Sequence, residues 1–261
     1  GILPFANYQT DLVSYSDQFG MAALNAGGFR GYDGVALPAL GDSTKNIKLS
    51  SGSFTIPDTG GLGTAGTYNL NALVFVVSGS GQTISFTDNA DTLNLTSGAL
   101  LLSGNNFSRS FGAAPGNGRL TVGGTAASGV VPFYLSSNYG NPTIFNSAIV
   151  DNGYGASTRL VFVANNTPTL RLATANSYTG GTVIDGGVGQ GAPTLQLALS
   201  GADGSALTAI PAGDLILNYG VVQLLGGSQI HTSVSPVLNG GATFNLNNFN
   251  QSLAGLTFNN N

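Results

Sequence analysis

"NSYTGGTVIDGG", residues 176–187, sets two glycine pairs around the four residues Thr182, Val183, Ile184 and Asp185. A helix does not tolerate that glycine density, and a strand of four residues buries too little surface to stand alone. The stretch reads as one short strand between two corners. It therefore predicts a fold in which many such units stack on one another.

Composition points the same way. Of 261 residues, 40 are Gly and only 7% are charged; all 11 acidic residues are Asp. An average globular domain carries about 25% charged residues. Glu, Lys and Arg fill exposed helix faces, so their scarcity argues against helices. Under about a tenth of the residues are expected in helix, against about a third in ordinary domains. The 42% hydrophobic content is ample for a core.

Period-2 alternation is clear in "SFTI" at 53, "TISFT" at 83, "TLNLT" at 92, "RLTV" at 119, "TLRLA" at 169, "TLQLAL" at 194 and "ATFNLN" at 242. Gly, Asn, Ser, Asp and Thr lie between these runs, all residues that suit turns. Strand centres at Leu49, Leu73, Leu95, Leu120, Phe145, Leu170, Leu195, Leu215, Val237 and Leu256 recur at an average step of about 23 residues, within the range of solenoid repeats. The expected fold is all-β: a right-handed, single-stranded parallel β-helix of about ten coils over residues 47–261. At about 4.8 Å per coil it makes a rod on the order of 50 Å long. Residues 1–46 are read apart from it, as a hairpin with strands at 10–15 and 21–24 and then an irregular segment that caps the first coil or links to a preceding unit.

The run "TLRLATANSYTGGTVIDGGVGQGAPTLQLA" resembles the autotransporter-associated β-strand repeat, of approximate pattern L-x-L-x-x-x-N-x-Y-T-G-G-T-x-I-x-G-G-x-L-x-L. Asn176, Tyr178, Thr179, Gly180, Gly181, Thr182, Ile184, Gly186, Gly187, Leu195 and Leu197 fall on it, with "VGQGAP" inserted before the last strand. The later "LNGGATFNLNNFNQSLAGLTFNNN" is similar to the segment that follows in such proteins. The resemblance implies the passenger region of a large bacterial surface protein, exported by type V secretion and folded as a β-helix. It implies an extracellular or outer-cell-surface location in a Gram-negative-type bacterium, and it transfers no catalytic or binding residue. The beginning without Met and the end just after a strand are read as those of a processed or excised piece.

The chemistry available is sparse. Seven basic residues, scattered from Arg30 to Arg171, make no patch for a row of phosphates, so nucleic acid is not an expected partner. The absence of cysteine excludes disulfides and thiolate ligands, and the single histidine, His231, rules out paired-histidine metal sites. The longest apolar run, Ala72 to Val77, is far short of the roughly 18 residues of a membrane span. Asp88 and Asp91 in "TDNADT", with Arg109 about one coil downstream, are the nearest approach to an acid pair. They read more simply as turn-capping residues whose joint replacement by Asn leaves the fold intact. "GGVGQGAP" at 186 has the glycines of a calcium-binding nonapeptide but Gly191 where its Asp belongs. Neither a cofactor nor a metal is expected.

Function is therefore expected to be structural: a stalk, spacer or fibre module that assembles end to end, as separate protomers or as repeats of a longer chain. Leu256 and Phe258 in the final "GLTFNNN" alternate toward a core with no cap after them, and they are assigned as the assembly edge. The alternative is an adhesin whose tyrosine-rich corners hold surface glycans or a neighbouring cell. A carbohydrate-active enzyme on the same scaffold ranks third.

Overall fold

The alternating runs become strands in a computed structural model that describes residues 2–18, 20–27, 31–61, 63–105, 107–138, 140–164, 166–186 and 191–259. In chain order these are β1 (Ile2–Tyr8), β2 (Asp11–Ser16), β3 (Gly20–Ala23), β4 (Asp42–Ser50), β5 (Phe54–Ile56), β6 (Thr67–Val77), β7 (Gln82–Phe86) and β8 (Thr92–Gly104). There follow β9 (Arg109–Phe111), β10 (Arg119–Val122), β11 (Val130–Ser137), β12 (Thr143–Phe145), β13 (Ala148–Ile149), β14 (Ser157–Ala164) and β15 (Thr169–Leu172). The last are β16 (Thr182–Gly186), β17 (Thr194–Leu197), β18 (Leu215–Tyr219), β19 (Val221–Leu224), β20 (Val237–Asn239), β21 (Thr243–Asn245) and β22 (Thr257–Asn259). Among the described residues there is no helix, and hence none long and apolar enough to cross a membrane.

The chain is all-β and dominated by two parallel sheets. One runs β4-β6-β8-β11-β14-β16-β18-β20-β22, with β10 and β13 attached beside β8. The other runs β5-β7-β9-β12-β15-β17-β19-β21. From β4 onward the chain returns repeatedly to each of the two, alternating except where β10 and β11, and β13 and β14, follow one another within the first. In register, Leu170 lies over Leu195 and Leu172 over Leu197, and all four are fully buried. The side chains of the two sheets meet in one core. Phe75 meets Phe54 and Phe111 edge-on at 6.2 and 6.1 Å, and Phe111 stacks on Phe145 at 5.0 Å.

The register corrects the expected regular step. Paired residues are only 20 apart at Leu238 and Phe258 but 35 apart at Leu100 and Leu135. The strand centres read from sequence belong partly to one sheet (Leu73, Leu95, Leu215) and partly to the other (Phe145, Leu170, Leu195), so their even spacing averages over corners of unequal length. Nine strands follow one another along the longer path, which at about 4.8 Å each spans roughly 40 Å.

The first 46 residues divide into two parts with different roles. β1, β2 and β3 form a three-stranded antiparallel sheet, one strand more than the hairpin expected at 10–24. That sheet lies against the flank of the parallel stack, where Leu12 and Leu24 pack on Ala72, Val74, Ala99 and Leu101. The run Ala72 to Val77 is continuously apolar because both of its faces are covered: Leu73 and Phe75 face the main core, Ala72 and Val74 the small sheet. The free edge of β4 is met instead by the following segment. Gly34 bridges to Ile47, Asp33 N donates to Asn46 O and Lys48 N to Gly34 O. β4 itself begins at Asp42, ahead of the junction drawn after residue 46.

Candidate functional site

The glycine-bracketed motif spends its polar groups on adjacent layers. Asn176 is buried; its Oδ1 accepts from Ile149 N at 2.7 Å, and its Nδ2 donates to Ala209 O at 2.7 Å. One side-chain amide thus does the work of a peptide group, satisfying a donor and an acceptor on either side. Gln229 and Gln251 repeat the device, each pairing through both amide atoms with the N–H and C=O of one residue, Leu199 and Ile230 respectively. Tyr178 is fully buried with its hydroxyl on that of Thr182, and burial pushes its phenol well above the usual tyrosine range. Thr179 donates both its N–H and its hydroxyl to Asp151, at 3.0 and 2.8 Å. Gly180 passes so close to the preceding layer that a Cβ there would sit 2.5 Å from Thr158 O, and Gly181 holds φ at +86°. Ile184 fills the core, and Gly186 ends β16 against Pro193. Gly187 and the glycine-rich insert through Gln190 lie outside the described residues. The motif makes corners and layer-to-layer bonds.

The acidic residues behave alike. One carboxylate oxygen from each of Asp58, Asp88 and Asp91 lies within 4.8 Å of the others, a spacing that could hold a metal ion. Each nevertheless accepts backbone N–H groups: Asp58 from Gly60 and Gly61, Asp88 from Gly63, and Asp91 from Gly66 and Asp88. These are interlocked turns. Arg109 is buried and donates Nη1 to Ser103 O at 2.7 Å. His231 sits in a turn where its Nδ1 accepts from Ser233 N at 3.1 Å, with the Ser233 hydroxyl 2.7 Å away.

The tyrosines sort by burial. Tyr68 is packed inside with its hydroxyl on Pro38 O, and burial pushes its phenol up to about 12. Tyr32 accepts from Leu12 N and lies under the Lys48 ammonium, 5.4 Å from the ring centre. Tyr8, Tyr15 and Tyr154 are exposed. Tyr139 is outside the described residues.

The last layer differs from those before it. Phe258 lies in register over Leu238 yet is 63% exposed, and Leu256 beside it is 43% exposed. Leu246 and Phe249 of the same layer are also exposed. An asparagine ladder climbs to this end: Asn239 Nδ2 donates to Asn218 Oδ1 at 3.0 Å, and Asn259 Nδ2 to Asn239 Oδ1 at 2.8 Å. Residues of the type that fill the core below are here exposed, beside the last described rung of the ladder. Sequence reasoning singled out Leu256 and Phe258 as an assembly edge, and the structure shows them exposed in the last strand region; it did not single out Asn218, Asn239 and Asn259, which are 20 or 21 residues apart, a step shorter than the average.

No family model, curated protein or solved structure matches this chain.

Proposed function

We propose that the chain winds as one right-handed parallel β-helix and serves as a structural module of an extracellular stalk or fibre. The repeated returns of the chain to two parallel sheets support a single winding, and the strong right-handed preference of parallel crossovers supports its hand. The likeness of residues 169–198 to the autotransporter-associated repeat supports a place in a passenger region at a bacterial cell surface.

The observation that carries the reading is the open last layer. Apolar side chains at register positions, an unfinished amide ladder and a strand edge without charge form a template for a further layer, from the same polypeptide or from another copy. A regular layer stacked there would bury Phe258 and Leu256, each worth about 1.5–3 kcal/mol on full burial. The test is sedimentation and electron microscopy of the 261-residue chain beside Leu256→Lys/Phe258→Lys. Concentration-dependent rods that the double variant does not form are expected. Monodisperse monomers of the unaltered chain at millimolar concentration would overturn the assembly role.

A further inference from the structure

A groove of about 580 Å³ runs beside the first half of β6, between the segment leading into β4 and the turn before β14. Its walls carry Leu40, Asp42, Lys45, Asn69, Thr125 and Tyr154. We propose that this groove binds a short, neutral oligosaccharide. The proposal does not rest on the stalk reading, since a single chain contains the whole groove.

Three features lead to that ligand class. First, Tyr154 stands 58% exposed at the tip of a turn that is firmly held. Asn152 Oδ1 accepts from Tyr154 N at 2.9 Å and Ala156 N at 3.2 Å, while its Nδ2 donates to Ala126 O in the layer below at 2.8 Å. A phenol ring kept in water by a clamped turn is a ready platform for the C–H face of a sugar ring, with its hydroxyl available as a polar handle. Second, the polar groups opposite are oriented before any ligand arrives. The Asn69 amide is fixed by Asn94 Nδ2 at 2.9 Å, and the Asp42 carboxylate by the N–H and hydroxyl of Thr44 at 2.9 and 2.7 Å. Ordering these groups in advance lowers the entropy lost on binding.

Third, the charges balance. In a chain with only 7% charged residues the groove holds one acid and one base, Asp42 and Lys45, and Lys45 lies 3.7 Å from Asp33. A phosphate or polyuronate would find one cation already beside an acid, and a metal ion a single lining carboxylate. A polyhydroxylated neutral ligand can use all of them: the Asp42 carboxylate accepts from hydroxyls, and Asn69 Nδ2, the Lys45 ammonium and the Thr125 hydroxyl donate to them. The volume falls within the roughly 300–1,000 Å³ of small-molecule sites.

The experiment titrates the intact chain with neutral hexasaccharides of glucose, linked α-1,4, β-1,3 or β-1,4, and of N-acetylglucosamine, with hexagalacturonate as the acidic comparison. Calorimetry is read beside the intrinsic tyrosine emission, which no tryptophan obscures in this chain. Saturable binding of at least one neutral sugar is expected. Tyr154→Ala should weaken it by at least about tenfold, the loss expected of a central aromatic anchor, while Tyr154→Phe largely retains it. Asp42→Asn should weaken it less, and the melting temperature without sugar should not move for the Tyr154 variants, whose side chain is exposed. No saturation by any neutral sugar, equal binding by Tyr154→Ala, or preference for hexagalacturonate would each overturn the proposal.

Discussion

A carboxylate that accepts two backbone N–H groups through different oxygens cannot be exchanged for an amide without loss. Asp91 is buried, with Oδ1 on Gly66 N at 3.0 Å and Oδ2 on Asp88 N at 3.1 Å. Asn would keep one acceptor and turn an NH₂ toward the other donor. Asp91→Asn should therefore destabilise the chain by about 1–2 kcal/mol, the cost of one buried donor left unpaired. Asp58→Asn, whose two donors share a single oxygen, should cost less. Urea denaturation measures both. This revises the expectation that paired replacement of Asp88 and Asp91 is silent: Asp in a turn was legible in the sequence, but how many donors converge on each oxygen depends on the layer 25 residues away. Asn176 teaches the same lesson, since its spacing marks a corner while its partners, Ile149 and Ala209, lie in two other layers.

At the scale of elements, the small antiparallel sheet closes a second hydrophobic layer over the long strands β6 and β8 and reaches β11 through Phe5 on Tyr134. Leu12 is its central contact, 1% exposed between the two sheets. Leu12→Ala should destabilise the small sheet by about 2–4 kcal/mol and leave the main core intact, because the two clusters share no residue. Hydrogen exchange would show faster amide loss confined to β1–β3, whereas uniform loss across β14–β19 would contradict it. Alternation made the inward columns legible, whereas the unbroken apolar run at 72–77, read only as too short for a membrane span, was not recognised as a strand covered on both faces. What covers the outer face was not legible, because β2 contributes only Leu12 and Val13 in a polar stretch, and sheet-on-sheet packing leaves no local pattern. The strand Ile2–Tyr8 was missed for a similar reason: its residues are mostly half-buried on both sides and show no alternation.

The molecule as a whole has unlike ends. At β4 the edge is occupied by the segment around Gly34, while at β22 core-type side chains and the asparagine ladder stand open. The direction of the bonds has a mechanical consequence. In both parallel sheets, and in the ladders of Asn218, Asn239 and Asn259, the links between layers point along the stack, so tension applied to the two termini loads them in series and peels the outermost layer first. Each detached layer of 20 to 35 residues would pay out roughly 70 to 120 Å of chain at about 3.4 Å per residue. Pulling single molecules should give a train of small, unequal extensions, beginning with the short layer at β22, and one abrupt rupture of the whole chain would contradict it. In the stalk proposed above, layers that detach one at a time would yield length gradually under drag, as a shock absorber does.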